Sequence, residues 1–127
     1  MESSVTLEDW ADAYIAAYGS DKDLTADDPL WWAFERSLLL INPEASEEIW
    51  LFILAVLAKE PSQKVLGRLS AGPLEDLIAY KGSDFIERIE LLARRDPAFR
   101  YLLGGVWQNE APPDIWKRVE SARGNSW

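Results

Sequence analysis

The side chains able to do chemistry in this chain of 127 residues are almost all carboxylates, since it has no histidine and no cysteine. The commonest general base and the commonest transition-metal ligand are therefore missing, as are thiolate nucleophiles, disulfides and cysteine-based zinc sites. A Ser-His-Asp triad cannot be assembled, and no Gly-x-Ser-x-Gly occurs. Gly104-Gly105 lacks the flanking pattern of a phosphate loop and reads as a helix stop. What remains is acid chemistry. Asp21, Asp23, Thr25 and Asp27 fall at positions 1, 3, 5 and 7 of a calcium loop. The sixth position, which needs glycine for a sharp turn, is Ala26, and the twelfth, which needs a bidentate Glu, is Trp32. These departures favour a solvated loop leading into a helix, and no metal or other cofactor is expected.

Glu75-Asp76 is the second carboxylate pair. Paired acids do glycoside chemistry when they face each other about 5 to 10 Å apart. Neighbours on a helix instead diverge by about 100°. The simpler role is helix-dipole charge plus structural ion pairs to Arg94 and Arg95. A carboxylate- or Mg-dependent enzyme using those four residues is an alternative, but no enzyme is expected. Arg88, Arg94, Arg95 and Arg100, with Phe99 and Tyr101 close by, have the composition of a single-stranded nucleic-acid site. Asp84, Glu87, Glu90 and Asp96 neutralise the same stretch, so no nucleic-acid partner is expected.

Charge and tryptophan carry the stronger signal. The net charge is −9, yet residues 1–48 hold twelve acids against two bases. Such a field repels nucleic acid and anionic lipid and attracts basic protein surfaces. Seven tryptophans are present. Trp10, Trp50 and Trp116 sit on apolar stripes and read as core. Trp31 and Trp32 point about 100° apart on a helix, so a narrow stripe does not hold both easily. One of them left beside carboxylates would make a binding hot spot. The candidate partner-binding set is Asp21, Asp23, Asp27, Asp28, Trp31, Trp32 and Glu35.

The elements that must position these residues are helices. Leu and Ala total 32 residues against seven for Val and Thr, and apolar residues recur with helical period. The first helix spans about Val5 to Tyr18, capped by Thr6 with Asp9 three residues on and stopped by Gly19. A polar link, Ser20 to Asp27, leads to Asp28-Pro29, which starts a second helix carrying Leu30, Trp31, Phe34, Leu38 and Ile41. Asn42 or Ser46 caps a third, whose body Ile49 to Ala58 is apolar all round. A fourth opens at Pro61-Ser62. Gly72-Pro73 breaks it and starts a fifth, which Gly82 ends. A sixth follows from Ser83 or Asp84, with Asp84–Arg88 and Glu90–Arg94 pairs along it. Asp96-Pro97 starts a seventh, Pro112-Pro113-Asp114 the last, and Asn125-Ser126-Trp127 is a loose end. The expected fold is all-α, a compact irregular bundle or short stack of antiparallel helix pairs, with seven to eight short helices in one domain. Its longest apolar run, ten residues, is half of a membrane span, and no signal peptide is recognisable, so a cytoplasmic protein is expected.

Val65-Leu66-Gly67-Arg68-Leu69-Ser70-Ala71-Gly72-Pro73-Leu74-Glu75-Asp76-Leu77-Ile78 resembles a stretch found in a family of small bacterial proteins catalogued only as a domain of unknown function. Ile86-Glu87-Arg88-Ile89-Glu90, Ala93-Arg94-Arg95-Asp96-Pro97-Ala98-Phe99-Arg100 and Leu103-Gly104-Gly105-Val106-Trp107 are similar to it too. The likeness spans roughly 28–123, leaving 1–27 as an acidic N-terminal helix and link and 124–127 as a loose C-terminus. It implies a bacterial, mostly helical, single-domain protein, and brings no reaction or ligand with it.

The expected function is a protein–protein interaction module whose acidic, Trp-bearing N-terminal face binds a basic protein partner. One concrete form is a toxin-immunity or antitoxin-type inhibitor covering a cationic surface. Opposite fields speed encounter, and buried aromatics slow release. The alternative is a structural or homo-oligomerising subunit. A monomer or homodimer, with no membrane partner, is expected.

Overall fold

The computed structural model describes residues 5–20 and 22–127. Among the described residues the chain is all-α, without strands. It divides into two compact units, Met1–Val65 and Leu66–Trp127.

The first unit opens with α1 (Leu7–Gly19), which begins where the residue types require. Thr6 Oγ1 accepts from the Asp9 N–H at 3.0 Å, and Asp9 accepts from the Thr6 N–H at 3.1 Å, closing a capping box. Trp10, Ala11, Tyr14 and Ala17 form its buried face. α1 packs on α2 (Trp31–Arg36) and on α3 (Ser46–Ala58). Trp10 stacks on Phe52 of α3 at 4.0 Å between centroids, and its indole N–H donates to the Ala33 carbonyl at 2.9 Å. Tyr14 meets Phe52 edge-on at 5.1 Å.

α2 stops well short of the expected helix through Ile41. The Ser37 hydroxyl donates to the Phe34 carbonyl at 2.6 Å, and the chain leaves the helix through three-residue turns, Leu38 N–H to Glu35 and Ile41 N–H to Leu38. A serine that bonds back to its own helix loosens it. The periodicity shifts as a result. Leu39 goes into the core at 2 % exposure, while Leu40 and Ile41 stand out at 73 % and 58 %. Ile41 is expected on this helix, and the early end of α2 leaves it beyond the helix and exposed.

α3 follows a 3₁₀ turn, Pro43–Ala45, and neither Asn42 nor Ser46 caps it through its side chain. It buries Ile49, Trp50, Phe52, Ile53, Val56 and Leu57, but Leu51 is 51 % exposed, so the helix is not enclosed all round. The division between the units falls inside α4 (Gln63–Leu69).

In the second unit the expected break at Gly72-Pro73 does not occur. A π turn, Ser70–Leu74, carries Pro73 inside the helical run. Its wider ring accommodates a residue with no N–H that would clash in a regular helix. α5 (Glu75–Arg95) follows directly; its backbone leaves the helical region at Lys81 (φ −133°, ψ 19°), where two helical segments meet across a kink beside Gly82, close to the expected end of the fifth helix. Gly82 serves close packing: a Cβ there would lie 2.8 Å from the Ile115 side chain of α7 (Pro113–Ala122). With these joins the described chain has six helical runs, fewer than the expected seven or eight, because the fourth, fifth and sixth merge. α6 (Pro97–Leu103) starts as its residues require, with Asp96 accepting from the Ala98 and Phe99 N–H groups. Leu74, Leu77, Ile78, Phe85, Ile89 and Phe99 make an aliphatic-rich core.

The C-terminal residues are held, contrary to the loose end expected. Trp127 donates its backbone N–H to the Gly104 carbonyl at 3.0 Å and its indole N–H to the Tyr101 carbonyl at 2.7 Å. Its ring stacks on Tyr101 at 5.0 Å. A Cβ on Gly105 would meet that ring at 2.6 Å, so the second glycine of the pair is a floor for Trp127 as well as part of a helix stop.

Candidate functional site

The acidic unit is built first by α1 and α3. Lys59, at the end of α3, pairs with Glu8 at 2.5 Å and Asp12 at 3.0 Å, and these carboxylates hold its ammonium above the usual lysine value. Asp9 is used in the capping box. Glu48 reaches Arg36 only at 4.0 Å, and the Arg36 guanidinium lies over the Trp10 ring at 4.6 Å. Several acids of this unit are thus occupied by its few bases.

The candidate partner-binding residues separate into four groups. Asp23, Asp27 and Glu35 are exposed, and no ion pair with a described residue engages them. Asp28 is half-buried, and its carboxylate accepts from the Leu30 N–H at 2.8 Å, which shapes the turn into α2. Asp21 lies outside the described residues. Trp31 and Trp32 are both half-buried, and Trp31 lies against Phe34 with 4.8 Å between ring centroids. A fully exposed tryptophan beside the carboxylates is therefore not what this face presents.

Sequence reasoning missed the apolar group that it does present. Leu40 and Ile41 stand exposed at the turn before α3. Ile41, Asn42, Pro43, Glu44, Ala45 and Glu48 line a cavity of about 540 Å³. Leu51 continues the surface one helical turn beyond Glu48. The signal was the run Leu38-Leu39-Leu40-Ile41, since four consecutive apolar residues cannot share one helix face.

In the second unit the pairing expected for Glu75 and Asp76 with Arg94 and Arg95 does not form. The four residues sit at opposite ends of α5, with the kink at Lys81 between them. Glu75 instead accepts from the Trp107 N–H at 3.3 Å and the Asn109 side-chain amide at 2.9 Å. Burial, with the Glu75 charge beside it, pushes the Asp76 carboxyl above its ordinary value. Glu90 bonds Arg118 of α7 through two hydrogen bonds, at 2.5 and 3.0 Å, which hold its carboxyl low. That is where the ion pair expected at Glu90–Arg94 is made. Among the described residues no group of three or more acids is placed to hold a metal ion.

The second unit has an aromatic surface that sequence reasoning also missed. Trp107 is 72 % exposed, and Trp107, Trp116 and Trp127 line one cavity of about 360 Å³. The Arg123 guanidinium covers the Trp116 ring at 5.4 Å.

A family model described as a family of unknown function, DUF6869, matches residues 20–127. The chain belongs to this family. The match begins earlier than the resemblance suggested, so the link from Ser20 is family sequence, whereas α1 lies outside it. No curated protein and no solved structure matches the chain. Among the described residues no helix is long and apolar enough to cross a membrane.

Proposed function

We propose that the chain is a protein-binding module whose first unit docks a basic protein through its acidic surface. One observation carries the reading. Residues 1–65 hold thirteen acids against four bases, while residues 66–127 hold nine of each, so the whole net charge of −9 belongs to the first unit. Asp23, Asp27, Glu35, Glu44 and Glu60 are exposed acids of this unit with no ion-pair partner among the described residues. Free surface carboxylates of one sign raise the encounter rate with a cationic surface, and the effect falls with salt. A toxin-immunity or antitoxin-type inhibitor in a bacterial cytoplasm is the most concrete form.

The test is affinity capture with the wild-type chain and with D23K/D27K/E35K, followed by salt titration of any captured protein as a purified partner. Loss of capture in the variant, and a wild-type affinity that falls steeply with salt, support the reading. Equal capture by both chains overturns it.

A second reading has its own observation. Trp107 is the most exposed aromatic side chain, and its unit carries no net charge to oppose self-association. A homo-oligomer built through that surface would show a mass that rises with concentration in light scattering and falls back for Trp107→Ala.

A further inference from the structure

We propose that the corner formed by Leu40, Ile41, Glu44, Glu48 and Leu51 is a docking groove for an amphipathic helix with a basic flank, an inference that rests on the acidic-face reading and names its partner element. Isolated exposed leucines are ordinary on protein surfaces. This group differs in shape and company. The early end of α2 turns Leu40 and Ile41 outward together, at 73 % and 58 % exposure. Ile41, Glu44 and Glu48 are among the residues that line a concave site of about 540 Å³, and Leu40 precedes Ile41 in the chain. Leu51, half exposed at 51 %, lies on the same ridge of α3, three residues after Glu48.

Charge complementarity selects the occupant. Glu44 has no ion-pair partner among the described residues, and Glu48 faces only Arg36, at 4.0 Å with its side chain 65 % exposed. So exposed and long a pair contributes little, and a partner's lysine or arginine can replace it. Phosphate backbones and anionic lipid are repelled by the same carboxylates. A second copy would bring its own acidic first unit. Backbone pairing with an extended peptide needs a sheet edge, and the described residues form no strand. A helix fits, because anchors at i, i+3, i+4 and i+7 make one apolar stripe about 10 Å long. Its apolar stripe would cover Leu40, Ile41 and Leu51, and its basic flank would meet Glu44 and Glu48.

The probe is a fluorescein-labelled helical peptide of about 18 residues, leucine at i, i+3, i+4 and i+7 and lysine elsewhere, with a scrambled peptide of equal composition as control. Anisotropy is read against the full chain at physiological salt. The patterned peptide should bind at least about tenfold tighter than the scrambled one. L40S/I41S should remove that difference, and E44K/E48K should weaken both peptides. Circular dichroism checks each variant, and Leu51→Ser repeats the comparison if L40S/I41S loses helicity. Equal binding of the two peptides to wild type, or an unchanged difference in the apolar variants, overturns the helix groove. If the charge variant still weakens both peptides, the acidic-face reading survives that failure. Binding indifferent to E44K/E48K and to D23K/D27K/E35K overturns both.

Discussion

The two units put the same residue classes to opposite uses. The first shows no exposed aromatic side chain among its described residues, and Trp10, Tyr14 and Phe52 form a buried stacked and edge-on cluster. What it shows most openly to solvent is aliphatic and anionic, with Leu40, Ile41 and Leu51 exposed in the segment that carries Glu44 and Glu48. The second has an aliphatic-rich core and shows aromatics instead, with Tyr80, Tyr101, Trp107 and Trp127 each more than a third exposed. Its charges balance, and Glu90 meets Arg118 across α5 and α7. Tryptophan content alone therefore says little about binding. The unit with the charge for long-range attraction anchors a partner with aliphatic groups, and the neutral unit offers rings.

The contrast breaks hardest at Trp10. Trp10→Ala removes the stack on Phe52 and the hydrogen bond to Ala33, and leaves a cavity beneath Arg36. Losing a buried Trp costs about 3–5 kcal/mol. Denaturant unfolding should show a loss of that size, and hydrogen exchange should quicken first at the amides of α1 and α3. A loss below about 1 kcal/mol would mean that the aromatic cluster is not the first unit's core.

Trp127→Ala is the matched change in the second unit and should cost less, about 1–3 kcal/mol, because the ring is 38 % exposed and loses a stack and one side-chain hydrogen bond. Gly105→Val should displace the same ring from the other side. Both variants should give faster exchange at 124–127 and a shifted tryptophan emission. Unchanged emission in Gly105→Val would show that the ring does not rest on that glycine.

How much of this was legible follows from which interactions are local. The start of α1 was, because Thr6 and Asp9 bond each other within one turn, and so was Asp96-Pro97 at the start of α6. The joins and early stops were not. Gly72-Pro73 reads as a break until a π turn accommodates it, and the close packing of Ile115 on Gly82, from 33 residues away, leaves no local signal beside the kink that Gly82 does mark. The candidate site suffered similarly. Asp23, Asp27 and Glu35 are exposed, as solvated acids should be. The apolar corner, however, depends on one serine hydroxyl ending α2 four residues before Ile41. Glu75 found partners in a loop, Trp107 and Asn109, that no helical spacing relates to it.

The smallest effect tests the balanced charges of the second unit, and its sign differs between two carboxylates. Glu90 is held below its ordinary value of 4.5 by Arg118, so its contribution is complete above that value and is lost as pH falls through the lowered folded value. Glu90→Gln should flatten stability against pH in that acid window and lower it modestly at neutral pH. Asp76 runs the other way. Its carboxyl is raised above the ordinary 3.8 by burial, so the folded state favours the protonated form. Its stabilising contribution is present below 3.8 and is lost as pH rises through the raised value. Asp76→Asn should therefore be neutral or slightly stabilising at pH 7, by well under about 1 kcal/mol, since the side chain is only half-buried. Thermal melts of both variants from pH 3 to 7 separate the cases. If Asp76→Asn lowers stability at neutral pH while Glu90→Gln leaves it unchanged, the two carboxylates have exchanged roles, and the second unit does not depend on the Glu90–Arg118 pair across α5 and α7.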